Sequence, residues 1–133
     1  MDTVGELWQQ LRASAHAPVA GDYYAFNRVR IPVRDDGHHV WLDAHAVRRL
    51  LALKDSDDVL AARFAGRWRR GDANRRRGEG ELWLRADAVV AHLASAPGRM
   101  DPLRVRLRRY LEREILFPAA TRRERGIAPN QRW

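Results

Sequence analysis

The chain has 133 residues with 25 basic, 17 acidic and no cysteine side chains, for a net charge of +8. That length fits one domain with short tails, and the absence of cysteine excludes a disulfide framework, a thiol nucleophile and any cysteine-ligated metal centre. Hydrophobic residues make up 45 % of the chain, too many for wholesale disorder, and no apolar run reaches the ~18 residues of a membrane span.

In chain order, residues 3–15 place Val4, Leu7, Trp8 and Leu11 at helical spacing, so residues 1–20 are expected to hold an amphipathic helix. The stretch Tyr24 to Val33 alternates apolar and polar side chains, the period of a half-buried strand. Asp35-Asp36-Gly37 predicts a tight turn, and His39 to Leu42 the returning strand of a hairpin. Asp43 is placed to cap a helix through Val47, Leu50 and Leu51 to Leu53. Ser56 or Asp57 caps the next, predicted to carry Val59, Leu60, Phe64 and Trp68 and to stop near Gly71.

A polar connection from Gly71 to Gly80 leads into a strand at Glu81 to Leu84 and a helix to about Ala94. Pro97-Gly98 breaks the chain, and Pro102 opens a last helix bearing Leu103, Leu107, Tyr110, Leu111 and Ile115. Residues 119–133, basic and aperiodic, are expected to form a flexible tail, with Trp133 exposed and Trp41, Trp68 and Trp83 in the core. The segment Trp41 to Ala52 matches Trp83 to Ala94 at 7 of 12 positions, an offset of 42. Both copies predict a strand running into a helix, and the fold class expected is a small α+β domain with about five helices.

Charge is unevenly placed. Residues 1–62 carry 7 basic and 9 acidic side chains, residues 63–133 carry 18 and 8, and 24 of the 25 basic residues are arginine. Arginine suits bidentate contact with phosphate and guanine, so the confined excess points to a polyanionic partner. Seven arginines lie within fifteen residues: Arg63, Arg67, Arg69, Arg70, Arg75, Arg76 and Arg77, opposed only by Asp72. In a continuous helix, Arg63, Arg67 and Arg70 share one face beside the anchoring Phe64 and Trp68, the geometry of a groove-reading element. Arg75 to Arg77 would follow as a wing along the phosphate backbone. The last helix adds a second row at Arg104 and Arg108, with Arg106, Arg109 and Arg113, partly neutralised by Glu112 and Glu114 and taken chiefly as a solvated face.

Asp35, Asp36, His38, His39, Asp43 and His45 cluster without any metal-ligand spacing, and turn and cap duties account for the aspartates. Neither a phosphate loop, a nucleophile elbow nor a nuclease carboxylate set is present. The expectation is therefore a binding protein with no catalytic residues, cofactor, metal or small-molecule substrate.

From Arg28 to Pro118 the order of features resembles the BRO-N domain of phage antirepressor-type proteins and large DNA viruses. The resemblance rests on Trp41-Leu42-Asp43-Ala44-His45-Ala46-Val47 after the Asp35-Asp36-Gly37 turn, on Trp83-Leu84-Arg85-Ala86-Asp87-Ala88-Val89, and on Leu107 to Pro118. His45-Ala46 stands where that family has an Asp before Val, Tyr110 replaces a Trp, and Phe117 is an extra residue before Pro118. The resemblance implies an α+β domain over residues 21–118 that binds double-stranded DNA in a phage, plasmid or bacterial setting, in the cytoplasm. The first strand and helix with the helix that follows also resemble an excisionase-type winged helix. A different class of function is a protein–protein module, an antirepressor or inhibitor, whose arginines dock an acidic partner or mimic a basic one; a homodimer is a further possible assembly.

Overall fold

The structure, a computed structural model, describes residues 24–72, 79–95, 97–129 and Trp133. The predicted helix within residues 1–20 and the arginines Arg75, Arg76 and Arg77 lie outside the described residues.

Strands β1 (Tyr24–Phe26) and β2 (Val29–Ile31) form a two-residue hairpin, not the single strand predicted to Val33. Asn27 and Arg28 turn the chain with φ of 50° and 66°, the positive values that such a turn requires at both central positions. Asparagine tolerates that region, and β1 then pairs antiparallel with β2 from Phe26↔Val29 to Tyr24↔Ile31.

The main sheet has four antiparallel strands in the order β3-β4-β6-β5, with β3 at Val33–Asp35, β4 at Val40–Asp43, β5 at Trp68–Arg70 and β6 at Leu82–Arg85. The predicted hairpin is present between β3 and β4. Asp36 closes its turn, its Oδ1 accepting from the backbone N–H of His38 at 2.8 Å and of His39 at 2.7 Å. Asp43 caps α1 (Ala44–Leu51) through His45 N–H at 3.2 Å, and Ser56 caps α2 (Asp57–Arg63) through Val59 N–H at 3.3 Å. Helix α3 (Ala86–Ser95) follows β6, and Asp101 and Pro102 open α4 (Pro102–Leu111).

The two related segments face each other at the centre of this sheet. β4 pairs with β6 as Trp41↔Arg85, Leu42↔Leu84 and Asp43↔Trp83. Leu42 and Leu84 occupy equivalent places in the two copies, so a local two-fold axis passes between them. The outer strands obey it too: Val33 pairs with Leu42 as Trp68 pairs with Leu84, and Arg34 with Trp41 as Arg69 with Trp83. Leu42, Leu84, Val47, Val89, Leu107 and Ile115 join one apolar core. Trp41 and Trp83 are buried outside it, because neighbouring strand residues point to opposite faces.

The last helix continues where a tail was expected. After α4 comes one wide π turn (Glu112–Leu116), in which Phe117 N–H donates to the carbonyl of Glu112, and then α5 (Phe117–Glu124). Pro118 sits in the first turn of α5, where its missing N–H is tolerated. Ala119 is fully buried, and Arg123 on α5 reaches Asp35 of β3 at 2.9 Å, so residues 119–124 belong to the domain. Trp133 is likewise half-buried, not exposed as expected.

Candidate nucleic-acid interface

The arginine-rich helix expected from Ser56 to near Gly71 is two elements. Phe64 ends α2 by donating its N–H to the Leu60 carbonyl at 2.9 Å, Arg67 N–H bonds back to Phe64 at 2.8 Å, and Gly66 turns with φ of 75°. From there β6 captures the chain: Arg85 N–H donates to the Arg67 carbonyl at 2.9 Å and Gly71 N–H to the Glu81 carbonyl at 2.8 Å. Arg63, Arg67 and Arg70 therefore do not share a helical face. They lie at a helix end, in a turn and on an edge strand.

Each then has its own surroundings. Arg63 pairs with Asp55 at 3.0 Å. Arg67 is exposed, with no carboxylate within 4 Å among the described residues. On β5, Trp68 and Arg70 alternate with Arg69. Trp68, expected in the core, is 36 % exposed, with the Arg70 guanidinium 5.8 Å from its ring centre. Arg70 reaches only the highly exposed Asp58, at 3.8 Å, a pair worth little in water. Arg69 turns to the other face, 3.4 Å from Asp36 and stacked 3.8 Å from the ring centre of Trp133. Arg75 to Arg77, between β5 and β6 in the sequence, lie outside the described residues.

The second row divides as well. Arg104 and Arg108 are half-buried on α4, and Arg104 Nη1 is buried with no acceptor among the described residues. Arg106 and Arg109 are exposed without a carboxylate partner among those residues, and Arg113, 72 % exposed, touches only its neighbour Glu114 at 3.3 Å. Spacings of three and four put these three on one side of the rod, away from the buried Leu107 and Leu111. The sequence already sets this row apart from the core: positions 106, 109 and 113 fall between the apolar positions of the same helix.

Two arginines outside the basic half are paired as well. Arg34 pairs with Glu79 at 2.8 Å, both largely buried, and Arg48 pairs with Asp57 at 2.6 Å. His92 feels the basic surroundings. Burial, then the charges of Arg104 and Arg63, push its imidazole below the ordinary value.

The aspartates of the His/Asp cluster are engaged in structure. Asp35 binds Arg123, Asp36 closes the hairpin turn, and Asp43 caps α1. Burial raises the Asp43 carboxyl above its ordinary value despite the N–H groups of His45 and Gly80 that lower it. Burial pushes the Asp36 carboxyl up too, but the N–H groups of His39 and His38, the Trp41 indole and the His39 charge outweigh it and bring it to about 2. A carboxylate depressed from 3.8 to about 2 stabilises the fold above pH 3.8, and that contribution drains away as pH falls through 2. Asp36→Ala is therefore expected to cost about 2 kcal/mol at pH 7. Urea midpoints taken from pH 7 down to 2 should show the gap from wild type closing below pH 4.

Comparison with protein-family models, curated protein sequences and solved structures finds no match to this chain. Among the described residues, no helix is long and apolar enough to cross a membrane.

Proposed function

We propose that this protein binds duplex DNA by charge and shape, without catalysis, as a cytoplasmic regulator of the antirepressor type. The observation that supports it is the incomplete neutralisation of the basic half. In that half carboxylates hold Arg63, Arg69, Arg85 and Arg123, Arg70 and Arg113 reach only exposed acids, and Arg67, Arg106 and Arg109 project without a carboxylate among the described residues. Exposed guanidiniums on a helix rod at three- and four-residue spacing suit successive phosphates along a groove. The regulatory setting comes from the resemblance to the BRO-N domain alone.

Fluorescence anisotropy on a labelled random duplex, titrated in salt, tests this reading. Each phosphate contact contributes about 0.9 to the log–log salt slope. Arg106→Ala with Arg109→Ala should flatten the slope by about 2, and Ala at Arg75, Arg76 and Arg77 by about 3. Absence of duplex binding by the wild type at about 50 mM salt would refute the reading.

One observation favours a second reading, a module that docks an acidic protein. Trp68 stands exposed beside Arg70, and Phe117 is 62 % exposed beyond Arg113. Aromatic and arginine neighbours of this kind dominate protein interfaces. Binding with little salt dependence and no duplex affinity would support it.

A further inference from the structure

The face of the main sheet opposite the core carries a slot built by the local two-fold axis. Arg34 crosses the sheet to lie 4.2 Å from the ring centre of Trp83, and Arg69 crosses the other way to 5.6 Å from Trp41. Glu79 and Asp36 hold the two guanidiniums. Into the middle comes the indole of Trp133. Its edges meet Trp41 and Trp83 at centre-to-centre distances of 6.1 and 5.5 Å, and Arg69 and Arg34 lie 3.8 and 5.1 Å from its ring centre.

Three features describe what such a slot accepts. Two cations against one ring favour an electron-rich aromatic, and among side chains indole is the best acceptor for them. The backbone N–H of Trp133 donates to the Asp35 carbonyl of the edge strand β3 at 3.1 Å, so the occupant is peptidic and is tied to the sheet edge by its main chain. Gly71 makes the room: a Cβ there would stand 2.8 Å from Cζ2 of Trp133 and 3.0 Å from the Arg34 guanidinium. The fit leaves a loose end. Trp83 Nε1 is buried with no acceptor among the described residues. Beside the slot an open cleft of about 480 Å³ is lined by Asp35, Asp36, Arg69 and Pro129. Before the seated indole, the chain leaves α5 through Gly126, at φ of 68°.

We propose that this slot is a recognition site for a tryptophan carried on a peptide chain, filled here by the chain's own Trp133 and open to a partner's tryptophan when Trp133 withdraws. The site is independent of the duplex-binding surface and stands or falls separately from it.

The test uses the full chain carrying Trp133→Ala and a synthetic peptide of residues 127–133 added in trans, with calorimetry as the readout. The peptide should bind W133A at least tenfold more tightly than the wild type, whose slot is full. A peptide with alanine in place of the tryptophan should not bind, and Gly71→Ala in the W133A background should weaken binding at least tenfold. Should W133A be unfolded at 25 °C, recovery of its circular dichroism on adding the peptide, and not on adding the alanine peptide, supports the proposal equally. No binding to W133A, equal binding to the wild type, or indifference to the peptide's tryptophan would each overturn the proposal.

Discussion

Leu84→Ala is expected to lower the stability of the domain by about 3–4 kcal/mol, near the upper part of the range for buried leucines. Leu84 is fully buried, sits on a central strand and faces Leu42 across the local two-fold axis. Sheet partners on both sides and helices against the core face leave little room for neighbours to collapse into the space. Because Leu42 is also fully buried opposite it, the two positions share one cavity. The Leu42→Ala, Leu84→Ala double variant should therefore depart from the sum of the singles by more than about 0.5 kcal/mol. Urea unfolding of the four proteins measures this, and a Leu84→Ala cost below about 1 kcal/mol would mean that the seam is not a packed core.

The second large effect is expected at Arg123. Asp35 is 4 % exposed, and its Oδ1 receives only the Gly37 N–H at 2.8 Å and the Arg123 guanidinium at 2.9 Å among the described residues. Arg123→Ala leaves a buried carboxylate without its cation, a change that typically costs about 3 kcal/mol or more. Adding Asp35→Asn in that background removes the stranded charge and should restore at least half of the loss. An arginine on a solvated tail would change stability by less than about 0.5 kcal/mol. Thermal and chemical denaturation of the two variants measures how much the docking of α5 contributes to the domain.

What the sequence shows of this fold follows the range of each interaction. Local chemistry was legible: the caps at Asp43 and Ser56, the helix start at Pro102, the turn at Asp36 and the apolar spacing of α3 all act within a few residues. So was the repeat, although its meaning, two strands paired about Leu42 and Leu84, depends on partners far apart in the chain. The arginine-rich helix misled because Phe64 and Trp68 keep helical spacing while β6 offers the chain a better use from Arg67 onward. At Asn27 the warning was one of phase. Apolar side chains at 24 and 26 change parity to 29, 31 and 33, which an unbroken strand cannot do.

The continuation past Pro118 also had a trace. Leu107, Leu111, Ile115 and Ala119 are buried at a constant interval of four, which overshoots a 3.6-residue turn at every step. One wide turn at Glu112–Leu116 absorbs the surplus and keeps all four on the core side. The candidate interface was half legible. Charge excess can be counted from residues, but which guanidiniums remain unpaired depends on where each acid ends up, and that is a property of the assembled fold.

The central pairing also sets where the entropy of ordering the chain is concentrated. β3 and β4 meet across a four-residue turn, whereas β4 and β6 join Leu42 to Leu84, 42 residues apart (84 − 42). Closing a loop of that length costs about 3 kcal/mol before any of its contacts form. The two outer hairpins close shorter loops, so each half-sheet can organise alone, and their meeting along the Leu42–Leu84 seam bears the greatest loss of chain freedom in the main sheet.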